Sequence, residues 1–211
     1  MLNDDIVIVD YNMGNLRSVQ KAFEKLGVDA VISNEHSVIF NASKIVLPGV
    51  GAFKDGMKNL ESLGLKEVLN KAVIENKTPF LGVCLGMQLI STKGYEHGEA
   101  KGLGWVEAEV VKFQVPDQSE QIKVPHVGWN NVSYLNHNPM FEGIPNASDF
   151  YFVHSYHFMT NEDVVTSTTD YGLNFVSSVN KDNIYAFQFH PEKSQSVGLR
   201  LLKNFIDLDE R

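Results

Sequence analysis

Short β-branched runs alternate with segments of helical periodicity through the first half of the chain. The apolar run at residues 6–9 is followed by Leu16, Val19, Phe23 and Leu26 at helical spacing, and then by a second apolar run at residues 28–32. The alternation continues through residues 45–47, a helical stretch over residues 57–73 and a strand at residues 80–83. This βαβ pattern predicts an α/β fold with a parallel sheet.

The second half contains several strand-like runs and little helix. These runs cover residues 105–113, 151–153, 174–179 and 184–189, and they are typical of antiparallel meanders. A final amphipathic helix carries apolar side chains on one side, namely Val197, Leu201, Leu202, Phe205 and Ile206. With no linker or repeat in the sequence, we expect one domain over residues 1–211: a three-layer sandwich with a mixed, mostly parallel central sheet.

The cysteine of this chain lies in a Gly-x-Cys-x-Gly turn at residues 82–86, between an apolar strand and a helix-like segment. Cys84 is the chain's only cysteine. A turn tight enough to expose a nucleophile strains the backbone, and the flanking Gly82 and Gly86 would tolerate that strain. Free N–H groups of the following helix would favour a thiolate. Cys84 is therefore a candidate nucleophile, with a buried structural cysteine as the alternative.

A candidate base follows the last strand-like run. Alternating Tyr185, Phe187 and Phe189 indicate a strand that ends at His190. In extended backbone, residues two apart face the same side, so Glu192 could orient the imidazole of His190. Pro191 would hold His190 extended. The alternative for this His-Pro-Glu triplet is an ordinary surface turn.

A glycine-rich loop at residues 48–51 follows the third predicted strand and could supply oxyanion donors. The expected donors are an N–H group from Gly49, Val50 or Gly51, and the N–H group of Leu85, the residue after the candidate nucleophile. Alternatively, the loop glycines only permit a turn. The pattern is too short for a dinucleotide fingerprint, and no P-loop motif occurs in the sequence.

Charge and composition narrow the classes of partner. The net charge is −8 and the lysines and arginines are scattered, which argues against nucleic acid. No apolar run is long enough for a membrane span, and the acidic residues 1–5 lack the pattern of a secretory signal. A single cysteine forms no intrachain disulfide, so we expect a cytoplasmic protein. His126 and His154 have no Cys/His/Asp cluster near them in sequence, so neither a metal nor a cofactor is predicted.

Three motifs together, at residues 48–51, 82–88 and 190–192, resemble the class I glutamine amidotransferases over essentially the whole chain. The resemblance implies that Cys84 attacks the side-chain amide of L-glutamine. It also implies that His190 acts as base and then as acid toward the departing ammonia, while Glu192 orients His190. A thioester is then hydrolysed to glutamate.

The same resemblance implies glutamine contacts at Gln88 and at the backbone near Gly51. Ser155 and Tyr156 are further candidates for substrate contact.

Within that class, residues 10–16, 125–130 and 152–156 resemble the glutaminase subunits of imidazole glycerol phosphate synthases. That resemblance implies a heterodimer in which ammonia passes to a (β/α)8-barrel subunit. The barrel would make imidazole glycerol phosphate and an aminoimidazole carboxamide ribotide. Trp129 and the loop at residues 12–15 could be core and turn residues, but by this resemblance they lie toward the partner. We interpret His126 and His154 as structural or interfacial.

Several alternatives stay open on the sequence. Residues 91–98 and 101–105 are less acidic than is usual in that subfamily and resemble paralogues that supply ammonia for amidination of surface-polysaccharide sugars. A free-standing hydrolase or cysteine peptidase would use the same turn. A binding module without turnover is the third alternative, although such a module would be expected to lose a member of the set Cys84, His190 and Glu192.

Overall fold

The computed structural model describes residues 6–114 and 122–208, so the acidic segment at residues 1–5 lies outside the described residues. The strands in chain order are β1 (Ile6–Val9), β2 (Val31–Ser33), β3 (Lys44–Gly49), β4 (Phe80–Cys84), β5 (Lys93–Gly94), β6 (Ala100–Lys101), β7 (Ala108–Lys112), β8 (His126–Tyr134), β9 (Ser148–His154), β10 (Tyr156–Thr160), β11 (Val165–Asp170), β12 (Asn174–Lys181) and β13 (Ile184–Phe187). The α-helices are α1 (Leu16–Lys25), α2 (His36–Phe40), α3 (Phe53–Ser62), α4 (Leu65–Leu69), α5 (Leu85–Leu89) and α6 (Gln195–Ile206). A π-helix spans Asn70–Glu75, and short 3-10 helices span Pro139–Phe141 and Pro191–Lys193.

Five parallel strands form the part of the sheet that carries the predicted site, in the order β2-β1-β3-β4-β13. Strands β1, β3 and β4 are buried along their whole length, because helices cover both faces of a parallel sheet. Alternate residues of β1 face opposite sides of the sheet: Val7 belongs to the core cluster that contains residues of α2, α3 and α4, whereas Ile8 belongs to the one that contains residues of α1 and α6. This layering confirms the predicted α/β fold.

Beyond β13 the sheet continues through antiparallel pairings, as the second half of the sequence predicted. The order is β13-β12-β10-β7, and β11, β8 and β9 extend it from β12. The run predicted at residues 105–113 is shorter in the structure, where β7 covers Ala108–Lys112. Five strands, β5, β6, β8, β10 and β11, were not predicted.

The helical stretch predicted over residues 57–73 is divided into three pieces. Helix α3 ends at Ser62, and Gly64 takes the left-handed conformation with φ of 66° before α4 begins at Leu65. The π-helix Asn70–Glu75 then continues directly from α4. A residue with positive φ interrupts the helical hydrogen-bond ladder, which a spacing pattern of apolar residues does not reveal. Within the described residues, no helix is long and apolar enough to cross a membrane.

Candidate active site

Cys84 ends β4 and immediately precedes α5, and its own backbone is strained. It has φ of 53° and ψ of −106°, an unusual conformation for a residue with a side chain. Such strain persists only where the surrounding structure enforces it, and it clusters at functional sites. The strained residue is therefore the cysteine, not the glycines on either side of it.

Gly82 and Gly86 have a different purpose from the one predicted. Neither has a positive φ, so the expectation that they absorb the strain of the turn is wrong. A Cβ at Gly86 would lie 1.7 Å from the carbonyl oxygen of Leu47, and one at Gly82 would lie 3.0 Å from the backbone of Gly86. Because these glycines have no side chain, α5 packs directly against β3 and β4, and this packing fixes the turn.

His190 and Glu192 form a buried pair beside the turn. His190 Nδ1 lies 2.7 Å from Glu192 Oε1, and both side chains are 3% exposed. The contact exists, but its geometry differs from the predicted extended segment. Pro191 begins a 3-10 helix over Pro191–Lys193, because its fixed φ suits a first helical position. The turn, not strand alternation, brings the carboxylate back to the ring.

Backbone contacts fix the position of His190. Its N–H donates to the carbonyl of Tyr151 at 2.9 Å, and the Ser194 hydroxyl donates to its carbonyl at 2.6 Å. The same hydroxyl accepts from the Tyr151 N–H at 3.0 Å. Ser194 is fully buried and was missed by the sequence analysis, because a serine after a turn carries no pattern of its own.

The charge state of His190 follows from its neighbours. Burial opposes a charge on this ring, but the nearby Cys84 sulfur and the Glu192 carboxylate together raise the pKa of His190 to about 10. Its Nε2, on the other side of the ring from Glu192, makes no hydrogen bond of ordinary geometry to the described residues. The site therefore favours the imidazolium form of His190 beside the Cys84 sulfur.

The sulfur of Cys84 has one amide neighbour that the sequence analysis missed. Gln188 Nε2 lies 3.8 Å from Cys84 Sγ, and the carbonyl oxygen of Val153 lies 4.0 Å from it. Gln188 is fully buried between Phe187 and Phe189, which face the core. Alternation along this segment, with a polar residue between two aromatic ones, is the signal that could have found it.

A cavity of about 310 Å³ opens at Cys84 and contains most of the predicted substrate contacts. Its lining residues are Val50, Gly51, Cys84, Leu85, Gln88, Glu96, Val153, His154, Ser155, Tyr156 and Lys193. Gly49 is not among them: it ends β3, and a Cβ there would lie 2.0 Å from the Tyr11 hydroxyl. A larger groove of about 800 Å³ lies over β7 and β10 but contains none of the predicted residues.

Two charged side chains in the cavity wall, Glu96 and Lys193, were not predicted. Glu96 Oε2 accepts from the Phe53 N–H at the start of α3 at 3.0 Å, which holds the carboxylate in place. Lys193 lies over the Tyr151 ring with its Nζ 5.7 Å from the ring centre. Glu96 lies in the short loop between β5 and β6, where no sequence periodicity marks a side chain as inward-facing.

The loop before α1 packs on the glycine-rich loop at residues 48–51. A Cβ at Gly14, where φ is 112°, would lie 3.1 Å from Gly49 Cα and from the Val50 nitrogen. Met13 Cε lies 2.6 Å from where a Cβ of Gly51 would be. The loop that by resemblance lies toward a partner is therefore in direct contact with the candidate oxyanion loop.

His126 and His154 lie next to each other, although 28 residues separate them in sequence. Their ring nitrogens are 3.0 Å apart, and the residues are 2% and 6% exposed. Their burial matches the structural half of the prediction. Among the described ranges, no group of three or more His, Cys, Asp or Glu side chains could hold a metal ion.

Comparison with known proteins gives one family over nearly the whole chain. The family model described as glutamine amidotransferase class-I matches residues 7–208. The chain is 50% identical over 203 residues to "Imidazole glycerol phosphate synthase subunit HisH 1" of Campylobacter jejuni (strain RM1221), covering 96% of this chain and all of the relative. It is also 50% identical to the HisH subunit of Aquifex aeolicus (strain VF5), covering 94% of each chain.

Solved structures agree at the level of the fold. A crystal structure of a glutamine amidotransferase superposes with a TM-score of 0.72 at 20% identity, covering 96% of this chain and 97% of the other. A glutamine amidotransferase from Thermotoga maritima gives a TM-score of 0.63 at 16% identity, covering 96% and 82%.

Proposed function

The chain belongs to the class I glutamine amidotransferase family, and from that premise we propose that it is a glutaminase subunit of an imidazole glycerol phosphate synthase. It hydrolyses L-glutamine to glutamate and ammonia for histidine biosynthesis. One observation carries the chemistry: a cysteine on a strained strand-to-helix turn lies beside a buried His190–Glu192 pair, at the mouth of a cavity of about 310 Å³.

The first half of the reaction forms a thioester. The Cys84 thiolate adds to the side-chain carbonyl carbon of glutamine, and the carbonyl oxygen becomes an oxyanion. The imidazolium of His190 then donates its Nε2 proton to the amide nitrogen, the C–N bond breaks, and ammonia leaves. Because the pair already favours the imidazolium, the acid is in place before the substrate arrives.

Backbone N–H groups stabilise the oxyanion in this proposal. Val50, Gly51 and Leu85 all line the cavity beside Cys84, and no side chain intervenes at Gly51. One such donor typically contributes about 3–4 kcal/mol to the transition state. Contact of Met13 and Gly14 with this loop helps to hold it in place.

The cavity wall matches the two ends of glutamine. Glu96 is a carboxylate suited to the α-ammonium group, and Lys193 is a cation suited to the α-carboxylate. Both hydrogens of Gln88 Nε2 already have protein acceptors, at Tyr156 O and Gln188 Oε1, both at 3.1 Å. Gln88 can therefore offer a ligand only its carbonyl oxygen, which accepts from an N–H group of the substrate.

The second half of the reaction returns the enzyme to its starting state. Neutral His190 takes a proton from water, the hydroxide adds to the thioester carbon, and the Cys84 thiolate leaves. Glutamate is released and the ion pair is restored. Glu192 holds the ring through Nδ1 in both halves, so that Nε2 always faces the reacting atoms.

Ammonia passes in this proposal to a (β/α)8-barrel synthase subunit in a heterodimer. The relatives' names as synthase subunits support a partner. A second support is an exposed apolar surface on β8, where Val127 is 54% exposed and Trp129 is 47% exposed. Val127 pairs in register with Val153, which lines the cavity, so this surface adjoins the site of ammonia release.

The function is tested by glutamate release from glutamine, measured for the purified chain with and without a histidine-pathway barrel subunit and its nucleotide substrate. We expect strong stimulation by the barrel, and no release from Cys84→Ala with the barrel present. Activity that this barrel fails to stimulate would point to another acceptor, such as the barrel subunit of a sugar-amidination pathway. Absence of activity under every condition would leave a binding module.

The proposed partner surface has its own test. Trp129→Glu should weaken binding of the barrel subunit at least about tenfold, because a buried interface aromatic typically contributes more than 1.4 kcal/mol. Phe40→Glu is a matched control, since Phe40 is 42% exposed on α2. Equal binding by both variants, measured by calorimetry, would place the interface elsewhere.

A further inference from the structure

Two buried histidines face each other across β8 and β9, and one of them, His154, also lines the cavity at Cys84. His126 and His154 are directly opposite in the antiparallel register, and His126 Nδ1 lies 3.0 Å from His154 Nε2. His126 also stacks on Tyr171, with ring centres 3.9 Å apart, and on Phe152 at 4.8 Å. The proposed mechanism uses neither imidazole, so their pairing needs another explanation.

The hydrogen bonds around this pair have only one possible direction. The carbonyl of Tyr156 can only accept, so His154 Nδ1, at 2.8 Å from it, carries the proton. His154 Nε2 of the neutral ring is then an acceptor, and His126 must donate to it from Nδ1. His126 Nε2 in turn accepts from Asn130 Nδ2 at 3.3 Å. Asn130 also donates to the carbonyl of Asp170 at 2.8 Å.

Burial keeps both rings neutral and therefore keeps this direction. It lowers the pKa of His126 to about 4 and that of His154 to about 3. At neutral pH each ring has one N–H donor and one acceptor, and every one of these four positions has a partner. We call this chain of hydrogen bonds, from Asn130 through His126 and His154 to the Tyr156 carbonyl, the histidine relay.

The inner end of the histidine relay lies in the wall of the glutamine cavity. The Tyr156 carbonyl that accepts from His154 also accepts from Gln88 Nε2 at 3.1 Å. Gln88 continues to Gln188, whose amide lies 3.8 Å from Cys84 Sγ. The orientation of Gln88, and hence of its one free acceptor toward the substrate, depends on a carbonyl that the relay holds.

We propose that His126 and His154 are positioning residues for glutamine, which hold the Tyr156 carbonyl and Gln88 in the orientation that binds the substrate. This inference rests on the proposed function for the identity of the ligand. Because the relay acts on the binding wall and not on the reacting atoms, its loss raises KM for glutamine and leaves kcat nearly unchanged.

Two substitutions of His126 separate the relay from simple packing. His126→Phe keeps an aromatic ring between Tyr171 and Phe152 but removes both nitrogens. His126→Asn loses the ring but keeps an N–H donor near the position of Nδ1. We expect His126→Phe to raise KM for glutamine about tenfold, since the buried hydrogen bond to His154 is lost. His126→Asn should stay within about threefold of the unmodified chain.

The opposite ranking, with His126→Asn impaired and His126→Phe normal, would overturn the relay in favour of a packing role, and so would a loss confined to kcat. Thermal unfolding of both variants checks that they fold. A second measurement needs no activity: imidazole ¹⁵N NMR of the unmodified chain at pH 7.5 should show the proton on Nδ1 of both histidines. A proton on Nε2 of His154 would overturn the inference.

Failure of the proposed function is recognised separately. If the unmodified chain releases no glutamate with or without the barrel subunit, the function is wrong, while the NMR result still decides whether the relay exists. If release is normal but the two His126 variants behave alike, the relay is wrong and the function stands.

Discussion

His190 and His154 are buried to nearly the same extent, 2% and 6% exposed, yet their protonation is opposite. Beside the Cys84 turn, the Cys84 sulfur and the Glu192 carboxylate raise the pKa of His190 to about 10 against the effect of burial. In the β8–β9 ladder, where the neighbours are aromatic rings, a carbonyl and other histidines, burial lowers the pKa of His154 to about 3. Charged neighbours, not depth, decide which histidine carries a proton.

The same contrast separates two tasks within one cavity. The parallel part of the sheet delivers Cys84 and His190 from the carboxyl ends of β4 and β13, where charge can be concentrated. The antiparallel ladder delivers Val153 to Tyr156, where a neutral hydrogen-bond chain sets geometry. In the proposed function, one wall performs the chemistry and the other holds the substrate.

The largest expected effect follows from removing the Cys84 sulfur, which should change both kcat and the pKa of His190. Cys84→Ala is expected to reduce glutaminase kcat on the order of 10⁴-fold or more, because Cys84 is the chain's only cysteine and supplies the one thiol of the cavity wall. The same variant should lower the pKa of His190 from about 10, since the Cys84 charge is what raises it most. Imidazole NMR titration checks this, and an unchanged pKa would contradict the ion pair.

Neutralising the Glu192 carboxylate should cause a smaller loss of kcat, and it tests how far this charge favours the protonated form of His190. Glu192→Gln keeps an acceptor for His190 Nδ1 but removes the charge that favours the imidazolium. We expect kcat to fall roughly 10²–10³-fold, with the alkaline limb of the kcat profile moving to lower pH. Glu61→Gln, on the exposed face of α3, is the matched control. A normal rate for Glu192→Gln would rule out the orienting role.

Short-range sequence patterns were sufficient to predict the parallel strands and the main side chains of the site. Apolar runs and helical spacing predicted the parallel strands, and the turn around Cys84 and the triplet at residues 190–192 predicted which side chains would meet. The reason for Gly82 and Gly86 was wrong, because close packing of α5 on Leu47 depends on which strand lies beneath the helix. That is a property of the assembled sheet.

Residues without a pattern were missed for the same reason. Glu96 and Ser194 lie in or beside irregular backbone, where no period marks the direction of a side chain. His126 and His154 were each considered alone, although the register of β8 against β9 places them opposite each other. Since β8 was not predicted as a strand, that register could not be derived from the sequence.

The Ser194 hydroxyl, which contacts the backbone of His190, should make a moderate contribution to the free energy of unfolding. Ser194→Ala removes the hydroxyl that donates to the His190 carbonyl and accepts from the Tyr151 N–H. Leaving these buried groups unpaired is expected to lower the free energy of unfolding by about 1–3 kcal/mol. Ser196→Ala, at an exposed position of α6, should change it little. Equal stability of the two variants in urea unfolding would show that Ser194 does not support the pair.

The smallest expected effect concerns the two neutral histidines, His126 and His154. It appears in the pH dependence of the free energy of unfolding. An imidazole whose pKa is lower in the folded chain than its unfolded value of about 6.5 costs stability as the pH falls below 6.5, because the unfolded chain then binds the proton. With folded values of about 4 and about 3, His126 and His154 should each cost about 1 kcal/mol between pH 7.5 and pH 5.5. His126→Phe removes one titrating group, so urea unfolding of this variant should lose about 1 kcal/mol less over that interval than the unmodified chain. Equal losses would mean that His126 titrates normally in the folded protein, and the contrast with His190 would then rest on His154 alone.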